Sequence, residues 1–524
     1  MEKNIRRGLK SVKTTEYFKG RDILLAAFSG FLLIFSFPKF GWGAISWIAF
    51  VPLFWALKRA LSFPRALFLG FVTGVVCYGG LIYWVVYVVV NYGYLPTNIG
   101  VMALLLLAGY LSLYIALFAA FVFHFGKKIS IYVAAPVLWV CFEYLKSAAL
   151  TGFPWENLGY AQYRNIYFIQ FADVFSVYGL SFFIMLVNVA VFRVLSERRK
   201  KDYVAAGMVL SVTALVHLYG FLRLEQVEEQ MRSAEKMEVS LIQGNIDQSI
   251  KWNPRFQRET LNRYERLSLL NVPAQGSLLV WPETAAPFEF QDQGDLQNQI
   301  IQLAKKTNCW LLFGSIRYEE NPAKRSYFNS AYLLSPSGEI KGIYDKVHLV
   351  PYGEYVPLRD VFPFINGFTQ SIGDFHKGTG FVPLAVDGKK LGVLICYEAI
   401  LPEAARDYKR SGADMLVTIS NDAWFGKTSA PFQHFSMMVL RAVETRLYLI
   451  RAANTGISGI VDPAGRILKQ TEIFKEDALK GEIKFIRMET FYSKHGDALV
   501  VGCFLLFVLF LFVSGRKETE HGDG

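Results

Sequence analysis

Three residues with side chains suited to acyl transfer each follow a short apolar run in the second half of the chain. Cys396 comes directly after KLGVLI, Glu283 follows SLLVWP and Lys346 follows IKGIYD. An apolar run that ends at a polar residue is typical of a buried strand that ends at the edge of a sheet. A thiol can attack a carbonyl, a carboxylate can accept its proton, and an ammonium can stabilise the negative charge that develops. The sequence therefore predicts an acyl-transfer site at three strand ends.

The composition indicates that this site belongs to a membrane protein. The chain has 524 residues, of which 53% are hydrophobic, with 44 Phe, 27 Tyr and 10 Trp. This apolar content exceeds that of an ordinary soluble protein. The apolar runs are concentrated before about residue 224 and again after Leu499, with a mixed sequence between them. We therefore expect an integral membrane protein with one large soluble insert.

Eight apolar runs have lengths near the ~20 residues that cross a bilayer as a helix. Seven precede the insert and one follows it, at residues 22–37, 42–58, 66–90, 98–124, 130–148, 166–194, 203–222 and 497–514. The first run lacks a small-residue cleavage pattern and more apolar runs follow at once, so we interpret it as an anchor. The predicted domains are a membrane domain at 1–223, a catalytic domain at 224–490, and a last helix with its tail at 491–524.

The orientation in the membrane follows from the basic residues of the short loops. Lys and Arg are concentrated in the N-terminal segment, in alternate loops and in the C-terminal tail, at Lys3, Arg6, Arg7, Lys10, Lys13, Lys19, Arg21, Lys58, Arg59, Arg65, Lys127, Lys128, Arg198, Arg199, Lys200, Lys201, Arg516 and Lys517. These segments are expected in the cytoplasm, so seven spans deliver the insert to the outer side. The net charge of +11 largely reflects this arrangement. Because the insert has no evident basic stripe, no nucleic-acid partner is expected.

The five cysteines do not form a disulfide framework. Cys77, Cys141 and Cys503 lie in predicted spans, and Cys309 precedes the strand pattern WLLFGS. Cys396 would then be a free thiol in an oxidising compartment, and its residue type alone leaves a buried structural role and a nucleophilic role both open. Because the sequence contains no cluster of metal ligands and no phosphate-binding loop, we expect no metal and no other cofactor.

The soluble insert alternates between strand and helix patterns. The strand patterns are VSLIQGN, LLVWPE, WLLFGS, NSAYLLSP, GIYDK, LGVLIC, MLVTISN, LYLIRAAN and GISGIVD. Helix patterns cover 254–271, 296–306, 398–410 and 431–446. Several strands are apolar throughout, as in sheets that are covered on both faces. These patterns predict an α/β sandwich.

Four motifs follow one another along the insert: WPETAAP, YDKVHLVPYGEYVP, ICYEAI and TISNDAWFG. They resemble the nitrilase, or carbon–nitrogen hydrolase, superfamily, which implies an α-β-β-α sandwich with a Glu–Lys–Cys triad. With the spans added, the whole chain is similar to the bacterial apolipoprotein N-acyltransferase family, in which this domain is inserted between a seventh and an eighth transmembrane helix. The resemblance implies that Glu283 is the general base, Lys346 the stabiliser of the oxyanion and Cys396 the nucleophile.

The resemblance also implies supporting residues around the triad. Glu354, in the loop VPYGEYVP, would be a second active-site carboxylate rather than an exposed loop acid. Tyr397 and Glu398 would contribute to activity, although a carboxylate such as Glu398 can also simply stabilise the start of a helix. Trp252 and Trp424 would lie near the acyl pocket, or else act as interfacial anchors.

The resemblance implies a function: transfer of a fatty acyl chain from a phospholipid, through a cysteine thioester, to the N-terminal amino group of an S-diacylglyceryl-cysteine apolipoprotein. It further implies a monomeric, multi-pass protein of the bacterial inner membrane, with its catalytic domain on the periplasmic side. A membrane-anchored amidase or nitrilase and a non-catalytic transporter or scaffold are the alternatives. A Cys–His hydrolase would instead pair Cys396 with His348 or His434. Three charged residues at or near predicted span ends are expected to reach the membrane interface, with a role in lipid entry as the alternative: Glu143, Lys146 and Asp173.

Overall fold

The structure is a computed structural model that describes residues 20–320, 325–351, 353–355 and 375–515. The predicted basic segments before residue 20 and after residue 515 lie outside the described residues, and so do three residues of the motif VPYGEYVP. The described chain consists of a helical N-terminal region, an α/β domain and a closing apolar helix, Ala498–Gly515. The predicted combination of membrane helices with an α/β domain is confirmed.

The helical region contains α1 (Gly20–Ser36), α2 (Val51–Lys58), α3 (Phe63–Leu81), α4 (Trp84–Asn91), α5 (Thr97–Phe125), α6 (Ile131–Ala148), α7 (Ala172–Glu197) and α8 (Lys200–Arg232). Among the described residues, six helical stretches are long and apolar enough to cross a membrane: Phe63–Leu81, Thr97–Phe125, Ile131–Ala148, Phe168–Glu197, Lys200–Arg232 and Ala498–Gly515. The first two predicted spans coincide with shorter helical segments, α1 and Gly43–Lys58. The total of eight spans therefore stays a prediction.

The predicted span 66–90 is wrong as a single helix. α3 ends at Leu81 and α4 begins at Trp84, and between them Ile82 leaves the helical conformation with φ −110° and ψ 22°. Trp84 Nε1 donates a hydrogen bond to Gln433 Oε1 at 3.2 Å, across 349 positions of sequence. The apolar pattern could not indicate this break, because the contact that accompanies it comes from a distant part of the chain.

The α/β domain contains two sheets. Its strands are β1 (Glu235–Gln243), β2 (Leu278–Val280), β3 (Ala286–Glu289), β4 (Trp310–Glu319), β5 (Ser326–Leu334), β6 (Ile340–Asp345), β7 (Leu384–Val386), β8 (Lys389–Ile395), β9 (Met415–Ser420), β10 (Tyr448–Ala453), β11 (Gly459–Val461), β12 (Ile467–Gln470) and β13 (Asp477–Phe485). The first sheet has the order β13-β1-β2-β4-β5-β6, with β3 paired to β4, and the second has the order β12-β11-β10-β9-β8-β7. The patterns did not predict β3, β7, β12 or β13, which are short or carry mostly polar, partly exposed residues.

Each sheet has a core of three parallel strands with antiparallel strands on both sides. The parallel strands are β1, β2 and β4 in the first sheet and β8, β9 and β10 in the second. Every residue of β9 and β10 is buried, because these strands are covered on both faces. The carboxyl ends of such strands lie at one edge of a sheet, where loops can collect functional side chains.

Helices cover the outer faces of the two sheets, so the predicted α-β-β-α sandwich is confirmed. α10 (Pro254–Leu270) and α11 (Asp295–Thr307) pack on the first sheet, and α12 (Pro402–Arg410) and α13 (Ala430–Thr445) pack on the second. The domain also has two short helices, α9 (Gln248–Lys251) and α14 (Phe491–His495). The apolar helix that follows the domain, α15 (Ala498–Gly515), packs on α6 and α7 instead. The predicted helix 398–410 is wrong at its start, where Cys396–Ile400 forms a 3-10 turn. α12 begins only at Pro402, because a proline disfavours the helical conformation at the residue before it, here Leu401.

A buried ion pair and a buried hydrogen bond hold the α/β domain against the helical region. Arg446, which follows α13, pairs with Asp173 of α7 at 2.7 Å, and Arg223 of α8 pairs with the same carboxylate at 2.7 Å. Glu444 accepts a hydrogen bond of 2.7 Å from Ser176, at which α7 is kinked with a φ of 55°. The expectation that Asp173 reaches the membrane interface is therefore wrong, since its burial is compensated by two guanidinium groups.

Glu143 and Lys146 of α6 are also buried rather than interfacial. Lys146 Nζ donates a hydrogen bond to the backbone O of Trp155 at 2.9 Å. Glu143 Oε1 accepts hydrogen bonds from Trp139 Nε1 at 3.1 Å and from the Leu158 backbone N–H at 2.6 Å. Both side chains thus fix the loop after α6 instead of reaching out of the membrane.

Candidate active site

The ends of three strands bring the predicted triad together. Glu283 lies three residues after β2, Lys346 directly follows β6 and Cys396 directly follows β8. The first two belong to one sheet and the third to the other, so the site lies between the sheets. Lys346 Nζ is 4.0 Å from Glu283 Oε1, and both charges act on the Cys396 thiol. All three predicted residues therefore belong to one buried cluster.

Cys396 occupies a strained backbone position. Its φ is 54°, in the left-handed region that residues with a side chain rarely adopt. Such a conformation costs on the order of 1 kcal/mol or more and persists only where surrounding contacts hold it. His434 Nε2 lies 3.1 Å from the Cys396 backbone O, and Glu398 accepts a hydrogen bond of 2.8 Å from the Ile395 N–H. These contacts hold the turn that places Cys396, a partly exposed residue, at the end of β8.

The environment of Cys396 keeps its thiol protonated at rest. Burial raises the pKa of the thiol above its ordinary value, Glu283 raises it further, and Lys346 acts in the opposite direction. Because a neutral thiol is a poor nucleophile, attack on a carbonyl requires a base that removes the proton. Among the charged groups around the thiol, Glu283 has the largest effect on its pKa.

Asn329 of β5 links two carboxylates in the cluster. Its Nδ2 donates hydrogen bonds to Glu283 Oε1 at 2.7 Å and to Glu354 Oε1 at 2.8 Å. Glu283 Oε2 accepts a further hydrogen bond of 2.9 Å from the backbone N–H of Asn421, which follows β9. In each of these hydrogen bonds a carboxylate oxygen is the acceptor, so the amide donors fix the orientation of both carboxylates. The sequence analysis missed both asparagines, and only the polar position of Asn329 within a buried strand could have indicated one of them.

Glu354 forms the strongest ion pair of Lys346. Its two carboxylate oxygens lie 2.9 and 2.8 Å from Lys346 Nζ, and the Val350 N–H donates to Oε2 at 2.8 Å. Burial alone would lower the pKa of Lys346, but Glu354 and Glu283 outweigh it and raise the pKa above its ordinary value. Lys346 therefore stays positively charged. Glu354 is buried, so the alternative of an exposed loop acid does not describe it.

Glu398 ties the loop of Lys346 to the turn of Cys396. Its Oε1 accepts backbone hydrogen bonds from Val347 at 2.7 Å and His348 at 2.9 Å, its Oε2 accepts one from Ile395 at 2.8 Å, and Tyr344 Oη lies 3.0 Å from both oxygens. Burial raises the pKa of this carboxyl to about 7, against the opposing effect of Lys346. The contacts make Glu398 a positioning residue rather than a simple stabiliser of a helix start.

The aromatic residues named by the resemblance have different surroundings. Tyr397 is buried and its ring stacks on His348, with 5.7 Å between centroids. Trp252 is 42% exposed at the end of α9, and Trp424 is 39% exposed. The Trp424 ring meets the edge of Tyr92, which follows α4, at 4.9 Å. Trp424 therefore lies where the helical region meets the α/β domain, three residues after the asparagine that binds Glu283.

Neither histidine of the Cys–His alternative bonds the thiol in the part of the chain that the structure describes. His434 Nε2 contacts the Cys396 backbone O, and its Nδ1 lies 3.1 Å from Asp422. His348 stacks on Tyr397, and burial lowers its pKa to about 4. The geometry assigns His434 to the support of the strained turn and offers no histidine base for the thiol.

Lys251 is a second buried lysine at the cluster, and the sequence analysis missed it. Its Nζ donates a hydrogen bond to the Glu283 backbone O at 3.1 Å. Burial lowers the pKa of Lys251 to about 8, although Glu283 and Cys396 act to raise it. A lysine directly before Trp252 in a loop-like segment carries no pattern that would have predicted this position.

Two further properties of the site concern metal ligands and the exposure of the cysteines. In the described ranges, no group of three or more His, Cys, Asp or Glu side chains is arranged to hold a metal ion. All five cysteines are free, and four of them are fully buried, whereas Cys396 is partly exposed. Partial exposure distinguishes Cys396 from the structural cysteines, because a nucleophile must be reached by its substrate.

Comparison with known proteins extends over nearly the whole chain. Residues 29–190 match the apolipoprotein N-acyltransferase N-terminal domain, and residues 238–491 match the carbon–nitrogen hydrolase family. The apolipoprotein N-acyltransferase of Geobacter metallireducens is 45% identical over 509 residues, which cover 96% of each chain. That of Pasteurella multocida is 32% identical over 498 residues, 93% of this chain and 94% of the relative.

One solved structure aligns with about half of the chain. A carbon–nitrogen hydrolase from Helicobacter pylori G27 aligns with 48% of this chain and 90% of its own, with 21% sequence identity and a TM-score of 0.36. The two family matches follow each other along the chain in the same order as the helical region and the α/β domain.

Proposed function

The chain belongs to the apolipoprotein N-acyltransferase family, and from this premise we propose that it transfers a fatty acyl chain from a phospholipid to the N-terminal amino group of an S-diacylglyceryl-cysteine apolipoprotein. We further propose that the acyl chain passes through a thioester on Cys396. The observation that carries this proposal is the buried cluster in which Lys346 lies between Glu283 and Glu354 beside a partly exposed thiol. Such a cluster has a base, a fixed positive charge and a nucleophile for acyl transfer.

In the first step, the thiol attacks the ester carbonyl of the phospholipid. Glu283 removes the thiol proton as the S–C bond forms, since the resting thiol is neutral. The negative charge on the carbonyl oxygen is stabilised by Lys346, whose ion pair with Glu354 keeps it charged. The C–O bond then breaks, and Glu283 returns the proton to the alcohol of the lysophospholipid. The result is a thioester with no net change in protons.

In the second step, the amine of the apolipoprotein attacks the thioester. The N–C bond forms, the same Lys346 stabilises the oxyanion, and the C–S bond breaks. Glu283 carries a proton from the attacking nitrogen to the leaving sulfur, which restores the thiol. This scheme is of the ping-pong type, because the first product leaves before the acceptor reacts.

The position of the site beside the helices supports a lipid as acyl donor. Gln433 of α13 accepts hydrogen bonds from Trp84 Nε1 at 3.2 Å and from Trp155 Nε1 at 2.8 Å, both in the helical region. The Trp155 ring also lies 6.0 Å from the ring of His434, which contacts the Cys396 backbone. An acyl chain that leaves the membrane beside these aromatic rings would stay in apolar surroundings.

The chain is a multi-pass membrane protein, and we propose that it lies in the bacterial inner membrane with the α/β domain on the periplasmic side. Lys58, at the end of α2, pairs with Glu197 at the end of α7 at 2.8 Å, and Lys128 donates to the backbone O of Ser514 at 2.5 Å. The ring of Phe63 at the start of α3 lies 5.7 Å from that of Phe121 near the end of α5, so the basic segments around Lys58 and Lys128 lie on the same side of the bundle. The positive-inside rule then assigns this side to the cytoplasm. We propose that the protein acts as a monomer.

A transfer assay with purified protein separates this function from a small-amide hydrolase. Protein in detergent is mixed with a defined phospholipid and a diacylated lipopeptide, and products are followed by mass spectrometry. We expect the lipopeptide to gain one fatty acyl group on its amine, and we expect no hydrolysis of short aliphatic amides. Cys396→Ala should form no product, whereas Cys309→Ala, which changes a buried cysteine directly before β4, should keep the activity. Amide hydrolysis without lipopeptide acylation would contradict the proposal.

A further inference from the structure

Two buried lysines flank the Glu283 and Cys396 pair, but their partners differ. Lys346 and Lys251 are each only 1% exposed. Lys346 Nζ is held by both oxygens of Glu354, at 2.9 and 2.8 Å. Lys251 Nζ is held by one backbone oxygen, that of Glu283 at 3.1 Å, and forms no ion pair within the described residues.

This difference in partners gives the two amines different proton affinities. Glu354 and Glu283 outweigh burial at Lys346 and keep its pKa above the ordinary value. At Lys251 burial dominates over the attraction of Glu283 and Cys396, so its pKa falls to about 8. Glu283 after β2 and Cys396 after β8 are the titratable groups whose charges act on Lys251 from the elements around it. Lys346 is therefore a fixed charge, and Lys251 can give up and accept a proton near neutral pH.

Transfer to an amine needs one more proton acceptor than hydrolysis does. When water attacks a thioester, a single carboxylate can carry the one proton that the sulfur must receive. An α-amino group has a pKa of about 8 in water and arrives largely as an ammonium at neutral pH. It must lose one proton before it can attack, and a second when the N–C bond has formed. Glu283 delivers this second proton to the sulfur, so the first proton requires another base.

We propose that Lys251 is this base and takes the first proton from the α-ammonium of the acceptor. The inference rests on the proposed function and concerns only its second step. Neutral Lys251 accepts a proton, the acceptor becomes a free amine, and the amine then attacks the thioester. Lys251 returns its proton to solvent after the acylated product leaves. Protons balance, because the reaction of an ammonium with a thioester releases one proton overall.

The position of Lys251 favours this role over simple anchoring of α9. The short helix has other attachments: Gln248 Oε1 accepts a hydrogen bond of 2.7 Å from Asn421 Nδ2, and the Ile246 N–H donates to Asn454 at 2.8 Å. Lys251 points inward to the backbone of Glu283, while the next residue, Trp252, is half-exposed. The segment thus connects the surface on which an acceptor would bind with the reacting atoms.

Single-turnover transfer at two pH values tests the inference. Full-length enzyme is loaded with a fluorescent phospholipid, its thioester content is measured by mass, and a diacylated lipopeptide is then added at about pH 7 and about pH 9.5, below and above the pKa of an α-amine. Lys251→Gln keeps a hydrogen-bond donor but accepts no proton. We expect its transfer rate per thioester to fall about 10-fold at the lower pH, because only about a tenth of an α-amine with a pKa of about 8 is a free amine at that pH. At the higher pH the acceptor is already a free amine, so the rate should return to within about threefold of wild type.

Hydroxylamine, which is uncharged at neutral pH, provides the matched acceptor. It needs no first deprotonation, so Lys251→Gln should release the thioester to hydroxylamine at close to the wild-type rate. Lys251→Arg, which keeps a positive charge but does not give up its proton, should behave like Lys251→Gln with the lipopeptide. An equal loss at both pH values and with both acceptors, or a loss of loading in both variants, would overturn the inference in favour of a positioning role. Wild-type enzyme that loads but never acylates the lipopeptide would instead reject the proposed function.

Discussion

The site combines two regions of opposite character. The polar cluster, made of Glu283, Asn329, Lys346, Glu354 and Cys396, is held by hydrogen bonds and ion pairs of 2.7 to 4.0 Å around the carboxylates. The aromatic rim, made of Trp252 and Trp424, is 42% and 39% exposed at those two residues. Lys346 in the cluster is 1% exposed. The side chains of the cluster are thus held by polar partners, whereas those of the rim are partly open to solvent.

This difference matches the two tasks of an acyltransferase. Charge stabilisation depends on groups that are already oriented, because reorientation during the reaction would cost free energy. Contact with a lipid or a lipopeptide needs apolar surface that tolerates different shapes. We therefore expect changes in the polar cluster to affect bond formation strongly, and changes in the aromatic rim to affect acceptor binding moderately.

The largest effect is expected from the charges of the cluster. Glu283→Gln removes the base, and thioester loading should fall about 10³-fold, because the neutral thiol then keeps its proton. Lys346→Met should lower loading by a similar factor, since the oxyanion loses its positive partner. The loading rate of each variant is measured as the rate at which a fluorescent phospholipid labels the enzyme in the absence of acceptor.

Control variants change the same residue types nearby. Glu289→Gln alters a carboxylate on β3, and Lys341→Met alters an exposed lysine on β6. Both should load at nearly the wild-type rate. Normal loading in Glu283→Gln would show that another group removes the thiol proton, and the assignment of the base would then be wrong.

Glu354→Gln should have a smaller and pH-dependent effect. Without its main ion pair, the pKa of Lys346 should fall, because burial lowers it and Glu354 is the largest opposing influence. The variant should lose loading about 10- to 100-fold, and the loss should grow as pH rises and Lys346 loses its proton. Loading rates from about pH 6 to about pH 9 would reveal this trend. A constant ratio to wild type over that range would contradict the electrostatic role of Glu354.

Glu398 should make the stability of the fold depend on pH. Its carboxyl has a pKa of about 7 in the folded protein, above the ~4.3 expected for an unfolded chain. Its contribution to stability is therefore fully present below about pH 4.3 and is lost as pH rises through about 7, by roughly 1–3 kcal/mol. Glu398→Gln cannot ionise, so its apparent Tm should change less than that of wild type between about pH 4.5 and about pH 7.5. Parallel curves for the two proteins would show that Glu398 does not titrate in this range.

The smallest effect is expected at the aromatic rim. Trp424→Ala should leave thioester loading within about threefold of wild type and slow transfer to the lipopeptide about tenfold, the loss expected from one aromatic contact. Trp424→Phe keeps a ring against Tyr92 and should recover most of the transfer rate. Trp252→Ala should behave like Trp424→Ala. A loss of loading in Trp424→Ala as large as that in Glu283→Gln would remove the distinction between rim and cluster.

The sequence predicted the parts of the site that follow apolar strands. Glu283, Lys346 and Cys396 stand at strand ends, where a local pattern carries the information. Asn329 and Asn421 could not be predicted in their roles, because their bonds to Glu283 cross 46 and 138 positions of sequence. Lys251 was missed for the same reason, since only the fold brings α9 to the end of β2.

Errors in the predicted elements have similar causes. The single span 66–90 is interrupted next to Trp84, which bonds to Gln433 of the α/β domain. Asp173 is drawn inward by Arg446, which lies 273 positions away. The strands β12 and β13 went unpredicted because edge strands expose polar residues and lack a continuous apolar run. Local patterns thus indicated the central strands and the membrane helices. The break at Trp84 and the burial of Asp173 depend on long-range polar contacts, which a local pattern does not contain.

The most direct test of the thioester mechanism is the mass of Cys396 during one turnover. Enzyme and a defined phospholipid are mixed without acceptor, a diacylated lipopeptide is added later, and the peptide that contains Cys396 is analysed by mass spectrometry at intervals. The predicted result is a fatty-acyl adduct on Cys396 that forms before the acceptor is added and disappears at the rate at which acylated lipopeptide appears. Product formation at full rate with no adduct on Cys396, or an adduct that persists while product forms, would contradict it.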